Sequence, residues 1–243
     1  MTQIYRRFLD GTPIYLARHY WWAYLWRVGV WLFDHQFIIN AILFGQYRKL
    51  MQVTLERLKA STNGRILQLT CVYGMFTPKL LGQLAGRGLH ITDVAPVQLA
   101  LARRKTKHRE RLLATRMNVE SLGYRDSSFD TVIIFFLLHE MPDDARHRTV
   151  EETVRVLKSG GRLLIAEYGP MPVRHVLYRV PPLRWVLTRL EPFLASFWHE
   201  DIGALANEMS VGMNREVKET WHKDVFASFY RVTEYAVVTK SSA

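Results

Sequence analysis

The feature that most limits what this chain can fold into is the alternation between residues 65 and 168. Five short apolar runs, at 65–71, 89–94, 112–118, 131–137 and 162–168, are separated by helical patterning or turn residues. The run TVIIFFL at 131–137 is apolar almost throughout, as expected of a strand buried on both faces. Helices are expected at 78–85, closed by Gly86 and Gly88, at 96–108, and at 144–157, stopped by Ser159-Gly160-Gly161. The 96–108 segment carries its basic residues in its last half, where they complement the helix dipole. Strands alternating with helices fold as a parallel sheet with right-handed crossovers, a doubly wound α/β architecture. Ligands of such sheets sit beyond the carboxyl ends of the strands. That rule nominates residues 69–76, 93–95, 118–120, 135–140 and 167–169.

The flanks have a different texture. Residues 1–60 read as helical and crowd their aromatics, with Tyr15, Tyr20, Trp21, Trp22, Tyr24, Trp26, Trp31 and Phe33 in close succession. The expected organisation is an N-terminal helical extension over 1–60, facing substrate or membrane, and an α/β domain over 61–243 with a lid segment at 170–210. In that segment Leu183, Val186, Leu187, Leu190, Phe193, Leu194, Phe197 and Trp198 recur at helical spacing, with Arg174, Arg179, Arg184 and Arg189 among them. It reads either as a lid packed on the core with a solvated basic face, or as an interfacial helix that meets anionic lipid. Residues 217–239 look like a closing pair of antiparallel strands.

The 243 residues suffice for one full core. The best candidate for a membrane span, 21–33, is broken by Arg27 and falls short of the roughly 20 apolar residues required, so neither a span nor export is expected. Cys71 is the single cysteine, which excludes an intrachain disulfide and a cysteine zinc site and fits a reducing compartment. A net charge of +11 attracts nucleic acid or anionic lipid. No RNA-binding module is visible, so nucleic acid is not expected as a partner, although an RNA methyltransferase stays open.

The stretch 127–168, SSFDTVIIFFLLHEMPDDARHRTVEETVRVLKSGGRLLIAEY, resembles the ubiquinone/menaquinone C-methyltransferases. It shares their F-D-x-V strand, the L-x-H turn, a helix ending in R-V-L-K-x-G-G, and a strand ending in an acid. Phe33-Asp34, Asn40 and Phe44-Gly45 are similar to their N-terminal signature. The resemblance spans roughly 30–170. It implies a Rossmann-like class I S-adenosylmethionine-dependent methyltransferase fold, with the helical extension and the basic amphipathic insertion added to it.

The cofactor loop departs from that pattern. Where those enzymes carry acid-x-Gly-x-Gly-x-Gly, this chain has Gln68, Thr70, Val72 and Gly74. With V-Y-G at 72–74 and the segment HYWWAYLWRVGVWLFD, the chain resembles the bacterial rhodoquinone biosynthesis proteins. That resemblance implies conversion of ubiquinone to rhodoquinone, with S-adenosylmethionine as amino donor for a ring methoxy position and manganese as the divalent metal. Ubiquinone is lipid-dissolved, so the expected place is peripheral, on the cytoplasmic side of the inner membrane. A conventional quinone C-methyltransferase fits 155–161 but not the loop. A non-catalytic, membrane-associated S-adenosylmethionine-binding protein fits the lost glycines.

The expected cofactor-binding residues are Gln68, Thr70, Val72, Tyr73 and Gly74 in the loop, Asp93 and Val94 at the ribose, Asn118 and Val119 at the adenine, and Phe135. Asp93 reads also as a cap for the next helix, a role that can coexist with ribose binding, and Asn118 reads also as a loop cap. Tyr73 and His139 are the catalytic candidates. The phenol of Tyr73 is suited to a quinone oxygen or the cofactor amine, or to packing on the N-terminal helices. His139 and Asp143 are the candidate metal ligands, within a polar group that includes Glu140, Asp144 and His147, and His139 reads also as a structural histidine. His199-Glu200-Asp201 is a second polar group, or the start of the next helix. The cofactor's α-amine, with a reference pKa near 7.7–8.0 lowered by its sulfonium, is the expected nucleophile toward the electron-poor ring.

Overall fold

The computed structural model describes residues 11–59 and 64–240; the chain ends and the expected boundary at 60–61 lie outside the described residues. The strands are β1 Ile66–Leu69, β2 Leu89–Asp93, β3 Leu112–Arg116, β4 Phe129–Phe135, β5 Leu157–Tyr168, β6 Arg215–Val225 and β7 Tyr230–Thr239. They form one sheet in the order β3-β2-β1-β4-β5-β7-β6. β4 lies between β1 and β5, pairing parallel with both, Leu67 with Val132 and Val132 with Leu163. Its residues Val132, Ile133 and Ile134 are completely buried, which is why this run carries no polar alternation. Each such side chain contributes roughly 1.5–3 kcal/mol relative to exposure.

β2 and β3 lie to one side of β1 and β4 to the other, so the strand order reverses between β1 and β4. Helices leave the two strands on different faces there and open a crevice at their carboxyl ends. β7 runs antiparallel to both β5 and β6. β6 is the edge strand and is studded with Lys218, Glu219, Lys223 and Asp224, which discourages edge pairing. Glu234 of β7 is buried, and the guanidinium groups of Arg57 and Arg162 pair with it at 2.6 and 2.9 Å.

The three helices between the strands run Phe76–Gln83, Pro96–Lys105 and Asp143–Val156. The second ends three residues earlier than expected because Thr106 is extended (φ −94°, ψ 123°). Leu157, expected as the last helical residue, instead begins β5 opposite Phe129.

The N-terminal part is helical over Ile14–His19, Trp21–Tyr24, Arg27–Phe33, Gln36–Ile42 and Tyr47–Lys59. These helices do different jobs. Tyr47–Lys59 buries Tyr47, Leu50, Met51, Val53, Leu55 and Leu58 in the main core. The four shorter ones bury little and lie as a cover over the crevice. Gly29 lets two of them cross: a Cβ there would meet the Trp22 carbonyl oxygen at 1.7 Å.

After β5 come Val176–Arg179, Pro181–Leu190, Leu194–Phe197 and Ile202–Ser210. Pro181–Leu190 buries only Leu187 and leaves Leu183, Trp185, Val186 and Leu190 exposed beside Arg184 and Arg189. The apolar face of this helix is largely uncovered, whereas Leu187 and, further along the same segment, Leu194, Phe197 and Trp198 pack in the main core, so the lid reading holds for the later part of the segment and not for this helix. Among the described residues no helix is long and apolar enough to cross a membrane.

Candidate functional site

The loop after β1 keeps a left-handed turn although two of the three family glycines are replaced. Thr70, at the place of the first family glycine, has φ +61°, a conformation that β-branched residues rarely adopt. Gly74 has φ +74°, and a Cβ there would lie 2.4 Å from the Tyr47 hydroxyl. That hydroxyl donates to the Tyr73 carbonyl at 3.1 Å and accepts the Met75 amide at 2.8 Å. Asp34 accepts the Gly74 amide at 2.9 Å, and Lys105 bridges Asp34 and the Gly74 carbonyl at 2.5 and 2.7 Å. Gln68 is fully buried beneath the loop and donates to the Thr70 carbonyl and the Thr77 hydroxyl; it braces the turn and lines neither cavity described below.

Tyr73 turns toward the cover. Its hydroxyl donates to the Ala23 carbonyl and accepts from Gln98 at 2.8 Å, while its ring stacks on Tyr24 at 5.6 Å. The phenol's hydrogen-bonding capacity is committed to packing the N-terminal helices.

A narrow cleft of about 60 Å³ lies at the ends of β1 to β4. Thr70, Asp93, Val94, Asn118 and Val119 line it, together with Cys71, Met117 and Phe136; Pro13, Tyr15 and Leu16 close over it. Asp93 accepts the Cys71 amide at 2.9 Å and the Ala95 amide at 2.8 Å. Burial pushes its carboxyl up to about 6 against the pull of those amides. Asn118 caps the turn by accepting the Glu120 amide at 3.0 Å, so its cap and cleft-lining placements hold together.

A second cavity of about 330 Å³ adjoins the first. Its walls are aromatic and aliphatic: Tyr20, Trp22, Phe33, Phe135, Phe136, Tyr168, Val72 and Ile39. Phe135 thus belongs here rather than in the cleft, where Phe136 stands. Tyr24, Cys71, Phe136 and Glu140 border both spaces.

One wall of this cavity is ionisable. The turn Leu138–Glu140 follows β4, and Glu167 near the end of β5 reaches under it. One oxygen of Glu167 accepts the Leu137 and Leu138 amides, each at 2.7 Å; the other lies 2.8 Å from Nδ1 of His139. Nε2 of His139 faces Glu191 at 3.9 Å. Tyr20 donates to Glu191 at 3.0 Å and Tyr24 donates to Glu140. Burial alone would lower His139, but Glu167, with Glu191 and Glu140, lifts it to about 9. Burial raises the carboxyls of Glu140 and Glu191.

His139, Glu140 and Glu191 each present one ligand atom within 4.8 Å of the others. An imidazole backed by a buried carboxylate, plus two carboxylates, is a donor set that fits a divalent cation such as manganese. Asp143 is not part of it. It sits in the first turn of Asp143–Val156 with its side chain 63% exposed and pairs with Arg146 at 2.6 Å. Asp144 pairs with Arg148 and His147 with Glu200, so the expected polar group divides into a buried half and a surface half. Glu200 also holds Arg146, and Asp201 caps the helix Ile202–Ser210, the structural reading of that group.

Sequence reasoning missed Glu191, Tyr20, Tyr24 and Met117; Cys71 and Phe136 fell within the nominated strand ends 69–76 and 135–140 but were not singled out. For Glu191 a signal existed: it is the lone acid between Glu167 and Glu200, inside an arginine-rich segment. The hydroxyl donors and cleft walls come from long-range packing and left no local mark.

The strand order and the placement of the cleft define the class: this is the Rossmann-like fold of the class I S-adenosylmethionine-dependent methyltransferases. Over part of its length the chain is similar in sequence to quinone C-methyltransferases. Residues 66–161 match the family described as a methyltransferase domain. A demethylmenaquinone methyltransferase of Lactiplantibacillus plantarum is 31% identical over 157 residues, 63% of this chain and 64% of that protein. A ubiquinone/menaquinone biosynthesis C-methyltransferase of Pectobacterium carotovorum is 29% identical, over 52% of this chain and 51% of its own length. The chain thus spans between half and two thirds of the length of these relatives. Among solved structures, the N-methyltransferase NodS of Bradyrhizobium japonicum superposes with a TM-score of 0.56 at 14% identity, covering 79% of this chain and 96% of that one. A Pyrococcus horikoshii protein gives 0.55 at 19%, covering 79% and 91%. At these identities the likeness is one of fold.

Proposed function

We propose that this chain is an S-adenosylmethionine-dependent enzyme acting on the ring of a membrane quinone, and that it replaces a methoxy group of ubiquinone with an amino group from S-adenosylmethionine to give rhodoquinone. The observation that carries this reading is the junction of the two cavities at Cys71, Phe136 and Glu140: a polar-ended cleft at the strand ends meets an aromatic chamber with ionisable groups on one wall. Asp93 lines the cleft at the strand end where a ribose would lie, and Asn118 lines it where an adenine would lie. Phe135, Phe136 and Tyr168 offer flat faces to a quinone ring and exclude water around it. Val72 enters this chamber, and Tyr73 ties the loop to the cover, so the loop's substitutions reshape the side where donor and ring meet.

His139, Glu140 and Glu191 would hold the metal. When bound, a divalent cation supplies Lewis-acid polarisation of a carbonyl oxygen. Without it, burial raises the carboxyls of Glu140 and Glu191, and His139 holds its proton against Glu167. The substitution balances as addition of an amine nitrogen to the methoxy-bearing carbon and loss of methanol; the nitrogen is then freed by elimination, in which a proton leaves the carbon next to Cα, the N–Cα bond breaks, nitrogen takes up a proton and the donor's carbon chain departs as an alkene.

A second reading, conventional C-methylation, is favoured by the relatives. S-adenosylmethionine labelled with ¹⁵N at the amine and ¹³C at the methyl distinguishes the two on a short-tailed ubiquinone. Product carrying ¹⁵N and no ¹³C is expected. A ¹³C-methylated ring establishes the second reading, and cofactor binding with no ring product establishes a non-catalytic one.

A further inference from the structure

We propose that the exposed aromatic faces of the N-terminal cover and of the Pro181–Leu190 helix form one docking surface for an anionic phospholipid bilayer, and that the aromatic chamber opens through that surface. The second half rests on the reading of the chamber as the quinone site; the first does not.

Scattered exposed apolar side chains are ordinary on soluble proteins. Here they are concentrated in two segments about 150 residues apart that meet in space. On the cover, Trp21, Trp26, Trp31 and Leu32 are exposed, and Phe37 is 81% exposed. On Pro181–Leu190, Trp185 is 67% exposed, with Leu183 and Val186 beside it. Tyr20 joins the two by its bond to Glu191, and His19 packs edge-on against Phe193 at 5.4 Å.

The rim of the chamber is built from the same faces. Trp22, Ile42 and Leu190 line the cavity and are also exposed, so its mouth is bordered by side chains of both segments. An apolar ligand that leaves through this mouth passes over apolar side chains rather than a polar surface.

Charge selects the occupant. Residues 14–33 and 168–190 contain no aspartate or glutamate, and Asp34, between Leu32 and Phe37 of the cover, is paired with Lys105, while Arg27, Arg174, Arg179, Arg184 and Arg189 are all exposed. Aromatic side chains interleaved with guanidinium groups, with no exposed acid, complement the headgroup zone of an anionic leaflet. The same face gives a protein partner no acid to recognise, and the bare aromatics need a surface that accepts insertion.

The test is partition of the full chain onto sedimented vesicles of phosphatidylcholine, with and without phosphatidylglycerol. The parent should bind the anionic vesicles at least about tenfold more tightly than the neutral ones, and salt should weaken this binding without abolishing it. Brominated acyl chains should quench its tryptophan fluorescence. The triple variant Arg184→Glu, Trp185→Ser, Arg189→Glu and the separate double variant Trp31→Ser, Phe37→Ser should each lose about tenfold in partition. Their far-ultraviolet dichroism and unfolding midpoints should match the parent's. Turnover of long-tailed quinone in vesicles should fall with partition, and turnover of a short-tailed quinone in solution should not. A parent that stays in the supernatant, that prefers neutral vesicles, or that partitions no better than both variants overturns the docking surface. If the parent partitions as expected but turns over no quinone of either tail length, the functional reading fails and the surface stands.

Discussion

Nδ1 of His139 lies 2.8 Å from a Glu167 oxygen, with both side chains only 4% exposed, and the other oxygen of the same carboxylate takes the amides of Leu137 and Leu138. One buried carboxylate therefore fixes both the turn after β4 and the ring it presents. Glu167→Ala would leave a charged imidazole and two amides without partners, and should destabilise the protein by about 3–5 kcal/mol. Glu167→Gln keeps an acceptor for the amides and should cost less, while letting the pKa of His139 fall. Urea unfolding and an NMR titration of His139 measure the two effects. Equal destabilisation by both substitutions would show that the acceptor kept by glutamine contributes nothing and that the loss comes from the charge alone.

The same wall sets a pH dependence. His139, held at about 9 against an ordinary 6.5, binds its proton more tightly folded than unfolded. Its stabilising contribution is complete below the ordinary value and is lost as pH rises through about 9. Glu140 and Glu191 are raised by burial, and Asp93 is raised to about 6, so each also retains its proton in the folded state above the ordinary carboxyl range. All four lower stability as pH rises. The metal-free protein should have its highest unfolding midpoint in mildly acid buffer and lose stability from there through about pH 9. A divalent cation must displace these protons, so Mn²⁺ affinity should rise with pH and binding should release protons. Calorimetry in buffers of different ionisation enthalpy counts them. Affinity independent of pH, or unchanged in His139→Ala, would remove His139, Glu140 and Glu191 as the ligand set.

Asp93 joins two backbone amides to the cleft, from Cys71 and from Ala95. Asp93→Ala should weaken S-adenosylhomocysteine binding by about 1.5–3 kcal/mol for each charge-assisted bond lost. It should also lower stability, because both amides lose their acceptor. Asp93→Asn retains one acceptor oxygen and should fall between parent and Ala in affinity. Calorimetry on the three proteins ranks them, and equal affinities would remove this strand end from the cofactor site.

How far these sites were legible in the sequence follows from where their information lies. The run at 131–137 announced a central strand because burial on both faces removes polar alternation, and Asp93 was legible because strand ends in this architecture face ligands. His139 was found by the same rule. Asp143 was grouped with it by adjacency along the chain, but the helix starting there turns Asp143 outward, where Arg146 one turn later takes it. Glu191 stood out as a lone acid in an arginine-rich segment, but its place in the wall comes from the segment after β5 folding back onto the cover, a tertiary fact. Helical spacing in 181–190 revealed an apolar face but not whether the core covers it; only Leu187 is covered.

The loop after β1 offers the sharpest separation of folding from chemistry. Thr70 holds φ +61°, a left-handed conformation that costs an L-residue roughly 1–2 kcal/mol. Glycine there relieves that cost but adds about 0.5–1 kcal/mol of chain entropy on folding, so Thr70→Gly should stay within about 1 kcal/mol of the parent. Val72 is half-buried and lines the chamber, so Val72→Gly loses part of its apolar burial and widens the space beside the ring. The double variant should still fold and still bind S-adenosylhomocysteine, because the loop remains tied through Tyr73, Gly74 and Met75 to Ala23, Asp34 and Tyr47. What it should lose is the alignment of donor and ring, read as reduced ¹⁵N incorporation into ubiquinone at unchanged cofactor affinity. Tyr73→Phe is the companion measurement. Tyr73 lines the chamber, but its hydroxyl is held by Ala23 and Gln98, so removing it should cost about 1 kcal/mol of stability and leave the pH profile of turnover unmoved. Full amino transfer by the double variant would show that these substitutions do not set the reaction type, and a shifted pH profile in Tyr73→Phe would return the phenol to the chemistry.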